Sequence, residues 1–340
     1  MTTLLVASTG GHLTELALLR PYLVPMDDDV VWVTFDSAQS RSLLDGQSVV
    51  YLPYIGPRQL GRVLTGRRLS KQIFDEHDVT RVISTGSAIA LSVLPLAVRQ
   101  GIKAEYVEAA ARTSGPSTTG RLLARLQGVD VFTQWPEWSG DRWKPAPSVF
   151  ENYRPEAAAE PLDRLRKVVV TLGTIEGFAF HRLVARLLEV LPDDCEVVWQ
   201  TGSTDTTGLP VRARALIAPE LLQAEMRHAD LVVCHAGVGS ALSVLALGKR
   251  PVLVPRRAGF GEHVDDHQAQ IAAELNDREL GVALEADAIT YADLLAAASM
   301  RVAPSAERRQ AGGRERFKPR ADRTHESVGQ ARRSHRGHVA

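Results

Sequence analysis

Cysteine is nearly absent. Cys195 and Cys234 are the two thiols in 340 residues, and neither sits in a C-x-x-C pair. They cannot build a disulfide framework, which points to a reducing, cytoplasmic setting. Long apolar runs are lacking as well. The longest, residues 89–98, is broken by Pro95 and falls short of the ~18 apolar residues of a membrane span. The first apolar run stops at Ser8 with no basic residue before it, unlike a signal peptide. Membrane contact is therefore expected to be peripheral. Neither charge is in excess: 40 Lys and Arg stand against 40 Asp and Glu. That excludes a general nucleic-acid binder, which needs a basic surplus to meet phosphates. Three catalytic signatures are missing too. Without G-x-S-x-G there is no nucleophile elbow, without G-x-x-x-x-G-K-[ST] no P-loop, and without H-E-x-x-H no metalloprotease helix.

What is present is a rhythm. Hydrophobic residues make up 44% and charged residues 24%, an ordinary soluble balance. Short apolar runs at residues 4–7, 30–35, 82–83 and 104–107 each end in small residues and alternate with helical stretches. Pro136, Pro145, Pro147, Pro155 and Pro161 interrupt the pattern, and it restarts at residues 168–172, 196–200, 231–234 and 252–255. Such alternation predicts an α/β fold of two Rossmann-like, doubly wound parallel-sheet domains. The expected division is a first domain at 1–140, a linker at 141–166, a second domain at 167–300 and a basic, disordered tail at 301–340. The tail holds eleven Lys and Arg against Glu307, Glu315, Asp322 and Glu326, a balance of +7, which leaves the first 300 residues at −7.

Ligands of parallel α/β sheets bind at the carboxyl ends of strands, where glycine-rich loops meet helix N-termini. The strongest such loop is His235-Ala236-Gly237-Val238-Gly239-Ser240. After it come Leu245, Gly248, Pro251, an apolar strand, and then Asp266-His267-Gln268. This order resembles the donor-binding half of GT-B glycosyltransferases of family 28, as do residues 169–174 and Trp199-Gln200-Thr201-Gly202. The first half is similar to the partner subunit of the eukaryotic transferases that extend dolichol-pyrophosphate sugar with N-acetylglucosamine, and to bacterial exopolysaccharide relatives. It matches them through residues 7–13, Glu108 with Arg112, residues 119–123 and Gln134-Trp135-Pro136-Glu137. Both halves occur here in one chain, with the donor half second.

The resemblance implies a GT-B fold and an inverting transferase, moving a sugar from a UDP-sugar to a polyprenyl-linked saccharide at the inner membrane face. It implies donor contacts at Gly173, Thr174, His235, Gly237, Gly239, Ser240, Asp266, His267 and Gln268. Acceptor contacts fall at Gly10, Gly11 and Arg112. His12 is expected as the general base, since histidine titrates near neutral pH, with Glu108 as the alternative. Glu108 and Arg112 are equally readable as a plain i,i+4 ion pair, and Gln134 and Trp135 as interdomain packing. His235, His263 and His267 with Asp265 and Asp266 fit a sugar loop better than a metal site. No metal and no cofactor are expected, because helix dipoles and backbone N–H groups serve the leaving diphosphate in such enzymes. In the family a glutamate commonly holds the ribose, and its position here is Ser243, which implies a different grip. The rival functions are a transferase acting on a soluble natural product, a sugar-nucleotide 2-epimerase, and an inactive nucleotide-sugar-binding partner. The +7 tail adds a candidate contact with anionic membrane.

Overall fold

The computed structural model describes residues 2–54, 60–173 and 177–305. The first sheet draws on β1 (Thr2–Ala7), β2 (Asp29–Phe35), β3 (Val49–Leu52), β4 (Val79–Gly86), β5 (Lys103–Val107), β6 (Val129–Thr133) and β7 (Trp143–Pro145). Its spatial order is β3-β2-β1-β4-β5-β6-β7, and every pairing is parallel. The helices between these strands are α1 (Gly11–Leu23), α2 (Ala38–Leu43), α3 (Leu60–Glu76), α4 (Ala88–Arg99) and α5 (Thr118–Ala124). β1 is buried along its whole length, as a parallel strand covered on both faces must be.

After β8 (Tyr153–Glu156), a second sheet is built from β9 (Lys167–Thr171), β10 (Glu196–Gln200), β11 (Ala213–Arg214), β12 (Leu231–His235), β13 (Val252–Val254) and β14 (Val282–Ala283). Its order, β11-β10-β9-β12-β13-β14, repeats the winding of the first, again all parallel. Helices α6 (His181–Val190), α7 (Pro219–His228), α8 (Val238–Leu245), α9 (His267–Asp277) and α10 (Tyr291–Ala298) flank it. α6 shows why the sequence folds this way. Leu183, Val184 and Leu187 fall on one stripe and are fully buried, while Arg182, Arg186 and Glu189 form ion pairs on the other face.

In each sheet the winding reverses beside the first strand. The loops after β1 and β4, and those after β9 and β12, therefore splay apart and open a crevice. The apolar core does not stop at the domain boundary. Leu13, Leu16 and Leu19 of α1 belong to the same cluster as Val238, Ala241 and Leu242 of α8. Each such fully buried leucine contributes roughly 1.5–3 kcal/mol.

The stretch expected as linker is more structured than its prolines suggest. β7 extends the first sheet at its edge, where a proline donates to no further strand. β8 pairs antiparallel with β15 (Arg301–Pro304). The first residues of the expected tail are thus a paired strand, and the basic residues after Ser305 lie outside the described residues. Among the described residues no helix is long and apolar enough to cross a membrane. Ile89, Ala90, Val93, Leu94 and Ala97 of the longest apolar run are buried on α4.

Candidate active site

His12 sits in the first turn of α1, directly after the β1 loop. Its Nδ1 lies 2.9 Å from the Thr85 carbonyl oxygen at the end of β4, and Thr85 Oγ1 donates back to the His12 carbonyl at 2.8 Å. A carbonyl can only accept, so Nδ1 carries the proton and Nε2 is left as the basic nitrogen. Burial lowers the pKa of this imidazole below its ordinary value, and the charge of Arg112 lowers it further. The ring is therefore neutral near pH 7. Gln39 clamps the loop in front of it, accepting from the Gly10 N–H at 2.6 Å and donating to the Gly10 carbonyl at 3.1 Å.

Glu108 is placed differently. It is 1% exposed and both of its oxygens are occupied. Oε1 accepts from Tyr106 Oη at 3.0 Å and the Ala109 N–H at 3.1 Å, and Oε2 accepts from the Ser117 N–H at 2.9 Å and Ser117 Oγ at 3.0 Å. Burial raises its pKa. The carboxylate closes the loop that carries Arg112, and no lone pair faces a substrate. It does not pair with Arg112, whose guanidinium instead lies 3.5 Å from Asp265 of the second domain.

A second buried carboxylate escaped the sequence reading. Glu15, one turn after His12, is 2% exposed. It accepts from the Ala110 N–H at 2.9 Å and from Gln134 Nε2 at 3.1 Å. Burial pushes its pKa up to about 7. Its signal in the sequence was faint: a lone acid between Leu13 and Leu16 on an otherwise apolar face. Gln134 and Trp135 are packing residues. Gln134 bridges Glu15, the Glu108 carbonyl and the Val149 N–H, while the Trp135 ring lies beneath the Arg278 guanidinium at 4.9 Å.

On the donor side, His235 ends β12 and wedges between two glycines. A Cβ at Gly173 would come within 2.6 Å of the imidazole, and one at Gly237 within 2.3 Å. Any larger residue at either place must displace the ring. Burial, reinforced by Arg256, holds the His235 pKa down at about 3, so the ring stays neutral. Its role is to shape both loops rather than to reach outward. Gly239 and Ser240 lie in the first turn of α8, whose leading N–H groups have no helical acceptor. Thr174 lies outside the described residues. Ser243 donates to the Gly239 carbonyl at 2.9 Å, bonding back within its own helix.

The loop between β13 and α9 is braced throughout. Gln268 is 2% exposed, and its Oε1 accepts from the Arg256 N–H at 3.1 Å. Asp266 accepts from the Ala258 N–H at 3.0 Å. His267 is hydrogen-bonded to Asp265. Two residues not foreseen complete the bracing. Glu262 receives both a bidentate fork from Arg182 at 2.9 and 3.0 Å and the Arg257 N–H at 3.0 Å. Arg256 is 1% exposed, donates to the Leu172 carbonyl at 2.5 Å, and so ties this loop to the one that holds Gly173. An arginine directly after an apolar strand was the sequence signal for it.

The two halves meet at this place. Thr113 and Ser114 donate to Gln270 at 3.0 and 2.9 Å. Beside them lies a cavity of about 180 Å³ between the domains, lined by Arg112, Ser114 and Arg121 on one side and by Asp265, His267 and Gln270 on the other. The N-terminus of α1 faces that of α8 across the interface, so two positive helix ends converge.

Comparison with known proteins agrees with this architecture. Residues 167–284 match the glycosyltransferase family 28 C-terminal domain. The UDP-N-acetylglucosamine--N-acetylmuramyl-(pentapeptide) pyrophosphoryl-undecaprenol N-acetylglucosamine transferase of Parasynechococcus marenigrum is 29% identical over 306 residues, covering 80% of each chain. The protein of the same name from a Geobacter species is 26% identical, over 83% of this chain and 82% of its own. Among solved structures, Acinetobacter baumannii MurG superposes with a TM-score of 0.52 at 18% identity, over 87% of this chain and 89% of its own. The glycosyltransferase SnogD from Streptomyces nogalater gives a TM-score of 0.51 at 20% identity, over 88% and 92%. With two doubly wound sheets facing one crevice and a second half that matches the family 28 C-terminal domain, the chain has a GT-B fold and is similar to glycosyltransferases of the family 28 type.

Proposed function

We propose that the protein transfers a sugar from a UDP-sugar to a polyprenyl-pyrophosphate-linked saccharide at the cytoplasmic face of the membrane, with inversion at the anomeric carbon. The named relatives, which act on a pyrophosphoryl-undecaprenol acceptor, support the substrate classes. The observation that carries the chemistry is the fixed, neutral His12 at the mouth of the crevice. In a single displacement, His12 Nε2 takes the acceptor hydroxyl proton, the acceptor oxygen bonds to the anomeric carbon, and the bond from that carbon to the UDP oxygen breaks. The N–H groups opening α8 are suited to the departing diphosphate. A positioned base of this kind contributes on the order of 10²–10⁴-fold.

Glu108 is the weaker base candidate, because all its acceptor directions are already used. The experiment is release of free UDP with and without a lipid-linked acceptor. Release that requires the lipid acceptor supports this reading. Release with a soluble aglycone alone supports a natural-product transferase. Conversion of the nucleotide sugar without any acceptor supports an epimerase, and binding without turnover an inactive partner.

A further inference from the structure

We propose that His263, Asp265 and His267 form a binding site for a borderline divalent transition-metal ion of the zinc or cobalt(II) class. From sequence the group fits a sugar loop better than a metal site, with His267 as the expected donor contact. The geometry favours ligation, independently of the transferase reaction. The three alternate along the chain, two in the loop ahead of α9 and His267 opening the helix, and one donor atom of each lies within 4.8 Å of the others. His263 Nδ1 is 3.5 Å from Asp265 Oδ1, and His267 Nδ1 hydrogen-bonds the same oxygen. A tetrahedral ion with ligands at about 2.0–2.2 Å holds its donor atoms roughly 3.3–3.6 Å apart. The His263–Asp265 spacing already fits that arrangement, and rotation of the His267 ring off its hydrogen bond to Asp265 would bring the third donor into it.

His263 supplies the independent pointer. Its side chain is 5% exposed, and Nδ1 is buried with no hydrogen-bond partner among the described residues. Leaving such an atom unanswered is costly, and a metal ion answers it. The imidazole is also held in place, stacked on Phe178 with centroids 5.5 Å apart and planes at 26°. Two imidazoles and one carboxylate suit zinc, cobalt, nickel or copper rather than magnesium or calcium. On binding, the proton on His267 Nδ1 moves to Nε2 or leaves to solvent.

Three protein ligands leave a coordination position open. Asp265 and His267 line the 180 Å³ interdomain cavity, so water or an anionic oxygen would complete the shell from that side. The ion competes with Arg112 for the Asp265 carboxylate, which ties occupancy to the contact between the two domains.

The test uses the full chain, stripped with chelator and titrated with cobalt(II) while visible absorption is followed. Zinc is then used to displace it. The expected result is one equivalent of cobalt with the intense bands of a four- or five-coordinate site. Asp265→Asn, at a side chain 43% exposed, should fold normally and weaken binding at least tenfold. Arg112→Gln should tighten binding, because a competing cation is gone. The His263→Ala/His267→Ala double variant should lose the bands. The chain also carries His325, His335 and His338, so bands that survive unchanged in the double variant assign the metal elsewhere and overturn the proposal. Equal affinity in the wild type and Asp265→Asn overturns it as well.

Discussion

Gly11 and Gly239 meet backbone to backbone across the domain interface: a Cβ on Gly239 would stand 3.2 Å from the Gly11 Cα and 3.4 Å from its nitrogen. Each glycine lies in the first turn of a helix, one per domain. The contact crowds any side chain at Gly239, at the place where the donor diphosphate is expected. Gly239→Val should therefore weaken UDP binding more than tenfold while the two sheets stay folded. Calorimetry with UDP, alongside a thermal melt, decides it. Unchanged UDP affinity in a folded variant would remove this turn from the donor site.

His12→Ala should lower kcat by about 100-fold or more, the ordinary weight of a positioned base, with UDP affinity nearly unchanged. Because burial depresses the His12 pKa, the acid limb of the kcat/KM profile should fall below the usual histidine value of 6.5. Glu108→Gln should instead lower thermal stability, since a donor-bearing amide cannot accept from Tyr106, Ala109 and Ser117 together. A larger kcat loss from Glu108→Gln than from His12→Ala would reverse the two assignments.

The fold was legible because its cause is local and repeated. Apolar strands such as β1 and β9 end in glycine-bearing loops, and helices such as α6 carry one apolar stripe. The donor-side loops were legible for the same reason, since at Gly173 and Gly237 glycine answers to crowding by His235 that any Cβ would violate. The inner polar residues were not. Glu15 is a lone acid among the leucines of α1 with no partner in its own helix, and its role emerges only when α1 is placed against the Ala110 N–H and Gln134. Glu108 reads as half of an i,i+4 pair until Ser117 folds back onto it. Their partners lie 95 residues away for Glu15 and 9 for Glu108, and only tertiary structure brings them together. Donor contacts inferred by resemblance, such as Gln268, prove to brace the loop as well.

Gln268→Ala should weaken the nucleotide sugar more than free UDP. Its amide oxygen holds the Arg256 N–H, and Arg256 in turn holds the Leu172 carbonyl beside Gly173. Losing the first link should loosen the loop nearest the sugar and reach the diphosphate loop less. Paired calorimetric titrations measure the difference. An equal loss for both ligands would mean that Gln268 acts only through the shared scaffold.

Glu15 should give the fold a pH-dependent stability. Its pKa is raised from 4.5 to about 7 in the folded chain. Below pH 4.5 both folded and unfolded chains hold this proton and the carboxyl costs nothing. As pH rises towards 7 the unfolded chain loses the proton first, and the folded state is progressively destabilised. The ceiling on the effect is ~3 kcal/mol. Glu15→Gln should flatten this part of the curve and raise stability at pH 8 relative to the wild type. Urea unfolding at pH 5 and pH 8 tests it. A wild-type slope that persists in Glu15→Gln would assign the titration to another group.

The basic tail should bring the chain to anionic membrane without spanning it. Beyond Ser305 ten Lys and Arg stand against four acids, a balance of +6 that opposes −6 on the preceding residues, and each basic residue near an anionic surface contributes roughly 1 kcal/mol within a Debye length. Arginines without an apolar anchor bind reversibly, so salt should release the protein. Because Arg301–Pro304 pairs with β8, the truncation that isolates the tail must end after Ser305; a cut at Met300 would remove a strand. Sedimentation with anionic and neutral liposomes should show the full chain pelleting with the anionic ones and the shortened chain staying in solution. If both pellet alike, the contact lies on the folded part. Residues 89–98 do not offer it, being largely buried on α4. Leu122 and Leu126 do, at 43% and 38% exposure beside Arg121 and Arg125. Replacing both leucines with serine should then release the shortened chain from the vesicles.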